Sequence, residues 1–273
     1  MVRTMSEQEF GPFIDIDVMR FKDGKPESVR QPIATEVPCT LQVNGDELGT
    51  MLCTPSDLKE FAVGYLFTSG LIQSVEEVLD FYCDERTWRL DITTAHRIDP
   101  ALLGKRIYTS GCGKGVMYDN MVNLAARHPV ESTFSIAPGK LVDCMRWLLG
   151  CSQLHRDTHG VHTVAISLNG DIPETYFDDI GRHNAVDKAV GHCLLQGTSL
   201  ERAILMGTGR ISSEILQKIK RAGIPLLLAR GAPTHQTVLQ ARDMGITVVG
   251  FARGGNFTVY THAERVMFDS GNE

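Results

Sequence analysis

The chain has 273 residues, with 42% hydrophobic and 22% charged side chains, a composition typical of a globular protein with a sizeable core. Its net charge of −6 and its pI near 5.9 argue against general nucleic-acid binding, which normally requires a basic surface. The amino terminus lacks the apolar segment of a secretory signal, and the longest apolar runs are too short to span a bilayer. We therefore expect a cytoplasmic protein without a nucleic-acid or membrane partner.

The first half of the chain is predicted to contain mainly strands. Residues 33–54 form two extended runs around Asn44 and Gly45, a pair that is typical of a tight hairpin turn. Residues 87–93 alternate apolar and polar side chains, which predicts a half-buried strand.

A helix is predicted between these strands. Thr54 has the side chain of an N-cap, Pro55 suits a first helical position, and Gly70 suits the end of the helix. The apolar residues between them recur at helical spacing, so one face of this helix should be buried.

The second half alternates helices and strands. After a predicted Asn-Gly hairpin at 161–178, the helices are expected at 182–196, 211–222 and 234–244, and the strands at 202–206, 224–229 and 246–252. These strands are continuously apolar, as expected when helices cover both faces of a largely parallel sheet. We expect an α/β protein with an α+β domain at 1–133 and a three-layer α/β/α domain at 134–273, the boundary lying near 131–135.

Cys112 differs from the other six cysteines. The seven are scattered and include no C-x-x-C pair, which suits a reducing cytoplasm rather than a disulfide framework. Cys112 lies in "YTSGCGKGV", where glycines allow close backbone approach to a ligand and Lys114 adds a positive charge. Both features favour the reactive thiolate. The alternative is a flexible glycine loop that merely contains a cysteine.

Arg182 and His183 open a predicted helix in "DIGRHNAVDKAVG". A helix amino terminus with these side chains suits an anionic or nucleotide ligand, and a strand-to-helix turn of an α/β sheet is a common ligand position. The alternative is a capped surface helix whose charges are solvated.

Three further arginines follow predicted strands. Arg210 lies in "MGTGRISSE", a weak dinucleotide motif but a reasonable phosphate cradle, and it is not a Walker A loop. Arg230 and Arg253 follow the next two strands. The carboxyl ends of such strands form one edge of a sheet, so we expect these arginines and Arg182 to meet there and bind a phosphorylated ligand. For Arg253, a plain turn between two strands is the alternative.

No metal site is predicted. "HAE" at 262–264 resembles the H-x-E of zinc deaminases, but the required P-C-x-x-C is absent because no cysteine follows Cys193. His155, His159 and His162 allow a metal site in principle, although ordinary loop histidines are the simpler interpretation.

The motifs together resemble one family over nearly the whole chain. "TSGCGKG", "DIGRHNAVDKAVG", "GRISSEILQKIKRAGIPLLLARGAPT" and "GFARGGNFTVYTH" are similar to stretches of the formate dehydrogenase accessory sulfurtransferases, the FdhD family. The resemblance implies that the C-terminal domain has a cytidine-deaminase-like fold without the deaminase zinc. It implies a sulfurtransferase that accepts persulfide sulfur from a cysteine desulfurase.

The resemblance also implies the destination of the sulfur. The acceptor would be a bound molybdenum (or tungsten) bis(molybdopterin guanine dinucleotide) cofactor, which then enters formate dehydrogenase. The pyrophosphates of this cofactor would be the ligand of the four arginines, and its guanine nucleotide moiety would be bound here. A homodimer without a catalytic metal of its own is expected.

The family's functional residues map onto this sequence in two places. Cys112 matches the first cysteine of the family's C-x-x-C and would carry the persulfide. Residues 251–256 match the cofactor-binding stretch, which comprises Phe251, Ala252, Arg253, Gly254, Gly255 and Asn256. Gly115 stands where the second cysteine is usual, which argues against a mechanism that needs a cysteine pair, and His159 replaces a usual glycine.

Two functions from different classes remain open. One is the persulfide-carrying transferase, and the other is a chaperone that binds the guanine dinucleotide cofactor without sulfur chemistry. Whether Cys112 accepts sulfur distinguishes the two.

Overall fold

The computed structural model of the chain describes residues 11–98, 106–108, 116–118 and 129–268. Its strands are β1 (Phe13–Lys22), β2 (Lys25–Ala34), β3 (Val37–Val43), β4 (Asp46–Cys53), β5 (Val78–Asp84), β6 (Arg89–Thr94), β7 (Arg106–Tyr108), β8 (Val116–Tyr118), β9 (His162–Leu168), β10 (Phe177–Asp179), β11 (Ala203–Gly207), β12 (Leu226–Ala229), β13 (Thr247–Arg253) and β14 (Asn256–Thr261). Its helices are α1 (Leu58–Thr68), α2 (Pro138–Cys151), α3 (Gln153–Thr158), α4 (Arg182–Leu195), α5 (Ser213–Arg221) and α6 (His235–Asp243). No helix in these ranges is long and apolar enough to cross a membrane.

The larger sheet has six strands in the order β10-β9-β11-β12-β13-β14. β11, β12 and β13 are parallel, and the pairs β10–β9, β9–β11 and β13–β14 are antiparallel. One face of the sheet packs its apolar side chains against α2, and the other packs against α4, α5 and α6. The mixed α/β prediction is therefore confirmed. The three helices and three strands predicted between residues 182 and 252 each begin and end within two residues of their observed bounds.

A four-stranded sheet in the order β4-β3-β6-β5 forms the core of the amino-terminal part. The buried side chains alternate along β3, with Cys39 and Leu41 facing the buried Phe61 and Leu66 of α1. The predicted hairpin is confirmed, because Asn44 and its following glycine both have positive φ and join β3 to β4.

The second Asn-Gly pair does not close a tight hairpin, so that prediction was wrong in detail. Asn169 and Gly170 do have positive φ after β9. However, β10 begins only at Phe177 and pairs with the start of β9, opposite Val164. The intervening segment contains Pro173, which has no N–H to donate to a strand ladder.

The start of the first helix was also predicted wrongly. α1 begins at Leu58, and its N-cap is Asp57 with φ 51° rather than Thr54. Thr54 is buried and binds β10 instead: its N–H donates to Asp179 Oδ2 at 3.1 Å, and its hydroxyl accepts from the Ile180 N–H at 3.1 Å. A residue type that suits an N-cap is used here to join two parts of the fold.

α1 and α4 cross with their backbones in close contact. A Cβ atom at Gly191 of α4 would overlap the Glu60 carbonyl oxygen, and a Cβ at Gly64 of α1 would overlap the Asp187 carbonyl oxygen. The two glycines therefore allow α1 to bring the small sheet against the helix layer of the large one.

β1 and β2 form a separate two-stranded antiparallel hairpin, and β2 packs against α3. Several large apolar side chains of this hairpin are exposed, including Phe13, Met19 and Phe21. The predicted division into 1–133 and 134–273 stays a prediction.

Candidate functional site

Four chain segments meet at one edge of the six-stranded sheet. Because β10 and β11 each run antiparallel to β9, the carboxyl ends of β10, β11, β12 and β13 lie on the same side. We call this edge the rim and define it as residues 179–183, 207–212, 230–234 and 251–256. Ligands of open α/β sheets bind at such an edge.

Backbone hydrogen bonds hold these segments side by side. Arg230 donates its N–H to the Gly207 carbonyl at 3.0 Å, and Phe251 donates to the Gly231 carbonyl at 3.0 Å. The rim is therefore continuous from β11 to β13.

Two glycines permit this close packing. A Cβ at Gly231 would overlap the Gly209 carbonyl oxygen, and a Cβ at Gly209 would lie 3.1 Å from the side chain of Arg182. Arg182 consequently lies against the loop that carries Arg210. Arg210 and Arg230 are exposed, as a group that binds a ligand from solution must be.

The charge of the rim affects His162, a histidine that the sequence marks only as a possible metal ligand. His162, the first residue of β9, is close enough to Thr208 for a 3.5 Å contact between its Nδ1 and the threonine hydroxyl. Burial lowers the pKa of His162, and the nearby positive charges of Arg182 and Arg210 lower it further. This edge of an acidic protein is therefore locally positive.

Three polar residues of the "GRHNAVDK" motif, Asn184, Asp187 and Lys188, stabilise the fold rather than face the rim. Lys188 is fully buried, and its Nζ lies 2.8 Å from the equally buried Asp179 Oδ2 while donating to the Thr54 and Asp178 carbonyls. Asn184 donates to Asp179 Oδ1 and to the Leu52 carbonyl. These polar groups join α4 to the end of β4.

Asp187 makes a second connection of this kind. It accepts hydrogen bonds from the Thr68 hydroxyl of α1 at 2.6 Å and from Lys218 of α5 at 2.7 Å. The alternative of a surface helix with solvated charges is therefore wrong, because Asp187 and Lys188 are buried and paired. Only Arg182 and His183 of this motif lie at the rim.

Glu214, in the first turn of α5, is a neighbour of the rim that was not predicted from the sequence. Its Oε2 lies 2.6 Å from His183 Nε2, and the Ser212 hydroxyl lies 3.4 Å from the same nitrogen. Burial opposes ionisation of Glu214, yet the hydrogen bond from His183 and the charges of Lys218 and Arg182 hold the pKa of this carboxyl below its usual range. An acidic residue two positions after the Ser212 N-cap was the available signal.

The turn between β13 and β14 borders a pocket. Arg253 stacks over the ring of Phe251 at 3.9 Å, the side chain of Ala252 is buried, and Gly254 and Gly255 have open space around them. The pocket has a volume of about 270 Å³ and is lined by these turn residues and α2, namely Leu141, Val142, Met145, Arg146, Leu149, Ala252, Arg253, Gly254, Gly255, Asn256 and Phe257. Arg146 was not predicted, because nothing local links α2 to this turn.

Five of the six described cysteines are poor nucleophiles. Burial raises the pKa of Cys83, Cys151 and Cys193 to about 11. The Cys39 thiol and burial also raise the pKa of Cys53, and burial raises that of Cys144. Thiols with a raised pKa are inert at neutral pH.

Cys112 lies outside the described residues, and so do Lys114 and Gly115. The strands on either side of it, β7 and β8, pair antiparallel, with Tyr108 opposite Val116.

The three candidate metal-binding histidines are used otherwise. His155 Nδ1 contacts the Val161 carbonyl at 2.7 Å, and its ring lies 6.1 Å from that of His159. Over residues 11–98 and 129–268, no three His, Cys, Asp or Glu side chains are grouped to hold a metal ion.

Comparison with known proteins gives consistent results. The sequence model of the FdhD/NarQ family matches residues 34–267. Over 254 residues the chain is 35% identical to the sulfur carrier protein FdhD of Bacillus subtilis (strain 168). The matched region covers 92% of this chain and 96% of that protein. It is 34% identical over 254 residues to the sulfur carrier protein FdhD of Staphylococcus aureus (strain Newman), with 92% and 95% covered. The crystal structure of a formate dehydrogenase accessory protein from Desulfotalea psychrophila matches with a TM-score of 0.78 and 25% identity, over 93% of this chain and 99% of that one.

Proposed function

Because this chain belongs to the FdhD/NarQ family, we propose that it is a cytoplasmic sulfur carrier that is required for formate dehydrogenase activity. In this proposal Cys112 accepts persulfide sulfur from a cysteine desulfurase. The sulfur then passes to molybdenum bis(molybdopterin guanine dinucleotide) before this cofactor enters formate dehydrogenase. The protein is thus a sulfurtransferase whose cargo is the cofactor.

One observation carries the proposal. Relatives at 35% and 34% identity over more than nine-tenths of this chain are named sulfur carrier proteins, and the matching crystal structure is that of a formate dehydrogenase accessory protein. The raised pKa values of five of the six described cysteines support Cys112 as the carrier, since they argue against those five thiols in that role.

The loading step is a thiol exchange without net oxidation. The Cys112 thiolate attacks the terminal sulfur of the desulfurase persulfide, forming a new S–S bond. The original S–S bond breaks, and the desulfurase cysteine leaves as a thiolate. With Gly115 at the second position, no cysteine adjacent in sequence can attack the Cys112 persulfide and expel sulfide.

The rim supports cofactor binding. The guanidinium groups of Arg182, Arg210 and Arg230 are suited to pyrophosphate oxygens, and the pocket beside Arg253 has apolar walls that suit a flat heterocycle. The proposal includes a cytidine-deaminase-like arrangement of the larger sheet and a homodimer. The exposed apolar side chains of the β1–β2 hairpin support the homodimer, since such side chains are commonly covered in an assembly.

Sulfur loading of Cys112 tests the proposal directly. After incubation with a cysteine desulfurase and free cysteine, we expect one additional sulfur atom on the Cys112 peptide and on no other cysteine peptide. The measurement is peptide mapping by mass spectrometry after alkylation, with a reaction lacking free cysteine as the control. An unmodified Cys112 in a correctly folded protein would leave the chaperone function as the better account.

Nucleotide selectivity tests the cargo site. We expect guanosine diphosphate to bind more tightly than adenosine diphosphate, and Arg253→Ala to weaken guanosine diphosphate binding roughly tenfold through loss of a charge-assisted hydrogen bond. Isothermal titration calorimetry measures both. Arg89→Ala, which removes an exposed arginine of the small sheet, is the control and should bind like the unmodified protein. Equal affinity for the two nucleotides would exclude a guanine site.

A further inference from the structure

His183 and Glu214 connect the first turns of two neighbouring helices at the rim. The distance between His183 Nε2 and Glu214 Oε2 is 2.6 Å, and the two side chains are only 18% and 7% exposed. An ionised carboxylate can only accept hydrogen bonds, so this contact requires the proton on Nε2 of the imidazole.

The proton on Nε2 determines the chemistry of the other ring nitrogen. In the neutral imidazole with a proton on Nε2, Nδ1 carries a lone pair and accepts hydrogen bonds. No contact of Nδ1 with another described residue occupies it. His183 therefore offers an acceptor at the rim.

This acceptor complements the arginines of the rim. Arginine side chains only donate, and they suit the phosphate oxygens of a nucleotide. A nucleotide also carries O–H donors on its ribose, and guanine carries N–H donors at N1 and at its 2-amino group. These donors need acceptors, which the arginines cannot supply.

Glu214 itself is incompletely paired. Its second oxygen, Oε1, is buried and accepts no hydrogen bond from the described residues. An unpaired carboxylate oxygen is costly inside a protein, and a function is one reason for a fold to keep such a group. The carboxylate thus carries more acceptor capacity than the contact with His183 uses.

We propose that Glu214 is a positioning residue: it fixes the proton of His183 on Nε2, so that Nδ1 accepts a hydrogen bond from a donor group of the bound guanine nucleotide. The inference rests on the proposed function, which supplies the nucleotide. The donor is a ribose hydroxyl or a guanine N–H, and the common chemistry is a neutral O–H or N–H group.

Two substitutions of Glu214 separate positioning from charge. Glu214→Met removes the acceptor with little change in volume, whereas Glu214→Gln keeps a carbonyl oxygen that can accept from Nε2–H. We expect Glu214→Met to weaken guanosine diphosphate binding roughly tenfold, the effect of one hydrogen bond, and to leave pyrophosphate affinity unchanged. Glu214→Gln should bind guanosine diphosphate almost as the unmodified protein does.

Analogues identify the donor. Adenosine diphosphate lacks the guanine N–H donors, and 2′,3′-dideoxyguanosine diphosphate lacks the ribose hydroxyls. The analogue that lacks the donor read by Nδ1 should bind the unmodified protein more weakly and should lose nothing further in Glu214→Met. The matched control is Glu264→Met, since Glu264 forms an exposed contact with His262 at 3.0 Å outside the rim.

A spectroscopic measurement reports the proton position without any ligand. Long-range ¹⁵N–¹H spectra should show the His183 ring protonated on Nε2 in the unmodified protein and in Glu214→Gln, and a tautomer mixture in Glu214→Met. Unchanged guanosine diphosphate affinity in Glu214→Met, or a His183 ring protonated on Nδ1, would overturn the inference. A loss of pyrophosphate affinity in both variants would overturn it too, because it would mean that charge is what matters. If the unmodified protein binds neither pyrophosphate nor guanosine diphosphate, the proposed cargo site itself fails.

Discussion

Replacement of Cys112 by alanine is expected to abolish maturation of formate dehydrogenase, lowering the client enzyme's activity to that of cells without this protein. The glycines around Cys112 and the charge of Lys114 favour its thiolate, which is the form that takes up sulfur. The assay is formate dehydrogenase activity in cells that carry each of the seven cysteine-to-alanine variants in turn.

The other six variants are the internal controls of that experiment. Cys83→Ala and Cys151→Ala are the best matched, because both thiols are partly exposed yet have a pKa raised to about 11. Each should support nearly full activity. Normal maturation with Cys112→Ala, at an unchanged amount of folded protein, would contradict the sulfur-carrier proposal.

Gly191→Ala is expected to give, together with Gly64→Ala, the largest loss of stability among single-methyl additions in the described helices. Alanine normally stabilises a helix by about 0.5–1 kcal/mol relative to glycine. Here the added Cβ would overlap the Glu60 carbonyl oxygen and lie 2.8 Å from the Gly64 nitrogen, so α1 and α4 must separate. We expect a net destabilisation of at least about 2 kcal/mol, of the size found for overpacked cores.

Thermal unfolding followed by circular dichroism measures this effect. The matched control is Gly150→Ala in α2, where a Cβ would have nothing within 4 Å, and this variant should be neutral or slightly stabilised. Equal melting temperatures for Gly191→Ala and Gly150→Ala would show that the α1–α4 contact is not as tight as described.

The parts of the fold that depend on local sequence could be predicted. The apolar runs of β11, β12 and β13 and the periodic helices between them follow from neighbouring residues alone. The meeting of Arg182, Arg210 and Arg230 at one edge followed from a general rule, because parallel strands end on the same side of a sheet.

Features that depend on distant contacts could not be predicted. Thr54 has the sequence signal of an N-cap, yet its N–H bonds to Asp179, 125 positions later. Lys188 would normally be solvated on a helix surface, but it is fully buried through partners from both parts of the chain. Arg146 joins the pocket only because α2 packs beside the β13–β14 turn.

The buried pair of Asp179 and Lys188 has a consequence for ligand affinity. Removing one partner of such a pair costs about 3–5 kcal/mol, because the other charge is left buried alone. Together with the bonds from Lys188 to the Thr54 and Asp178 carbonyls, the pair fixes the corner where β10 turns into α4. Arg182 and His183 extend from this corner on a backbone that is already ordered before any nucleotide arrives. Binding then involves little loss of conformational entropy there, and the preorganised corner makes each hydrogen bond to the cargo more effective.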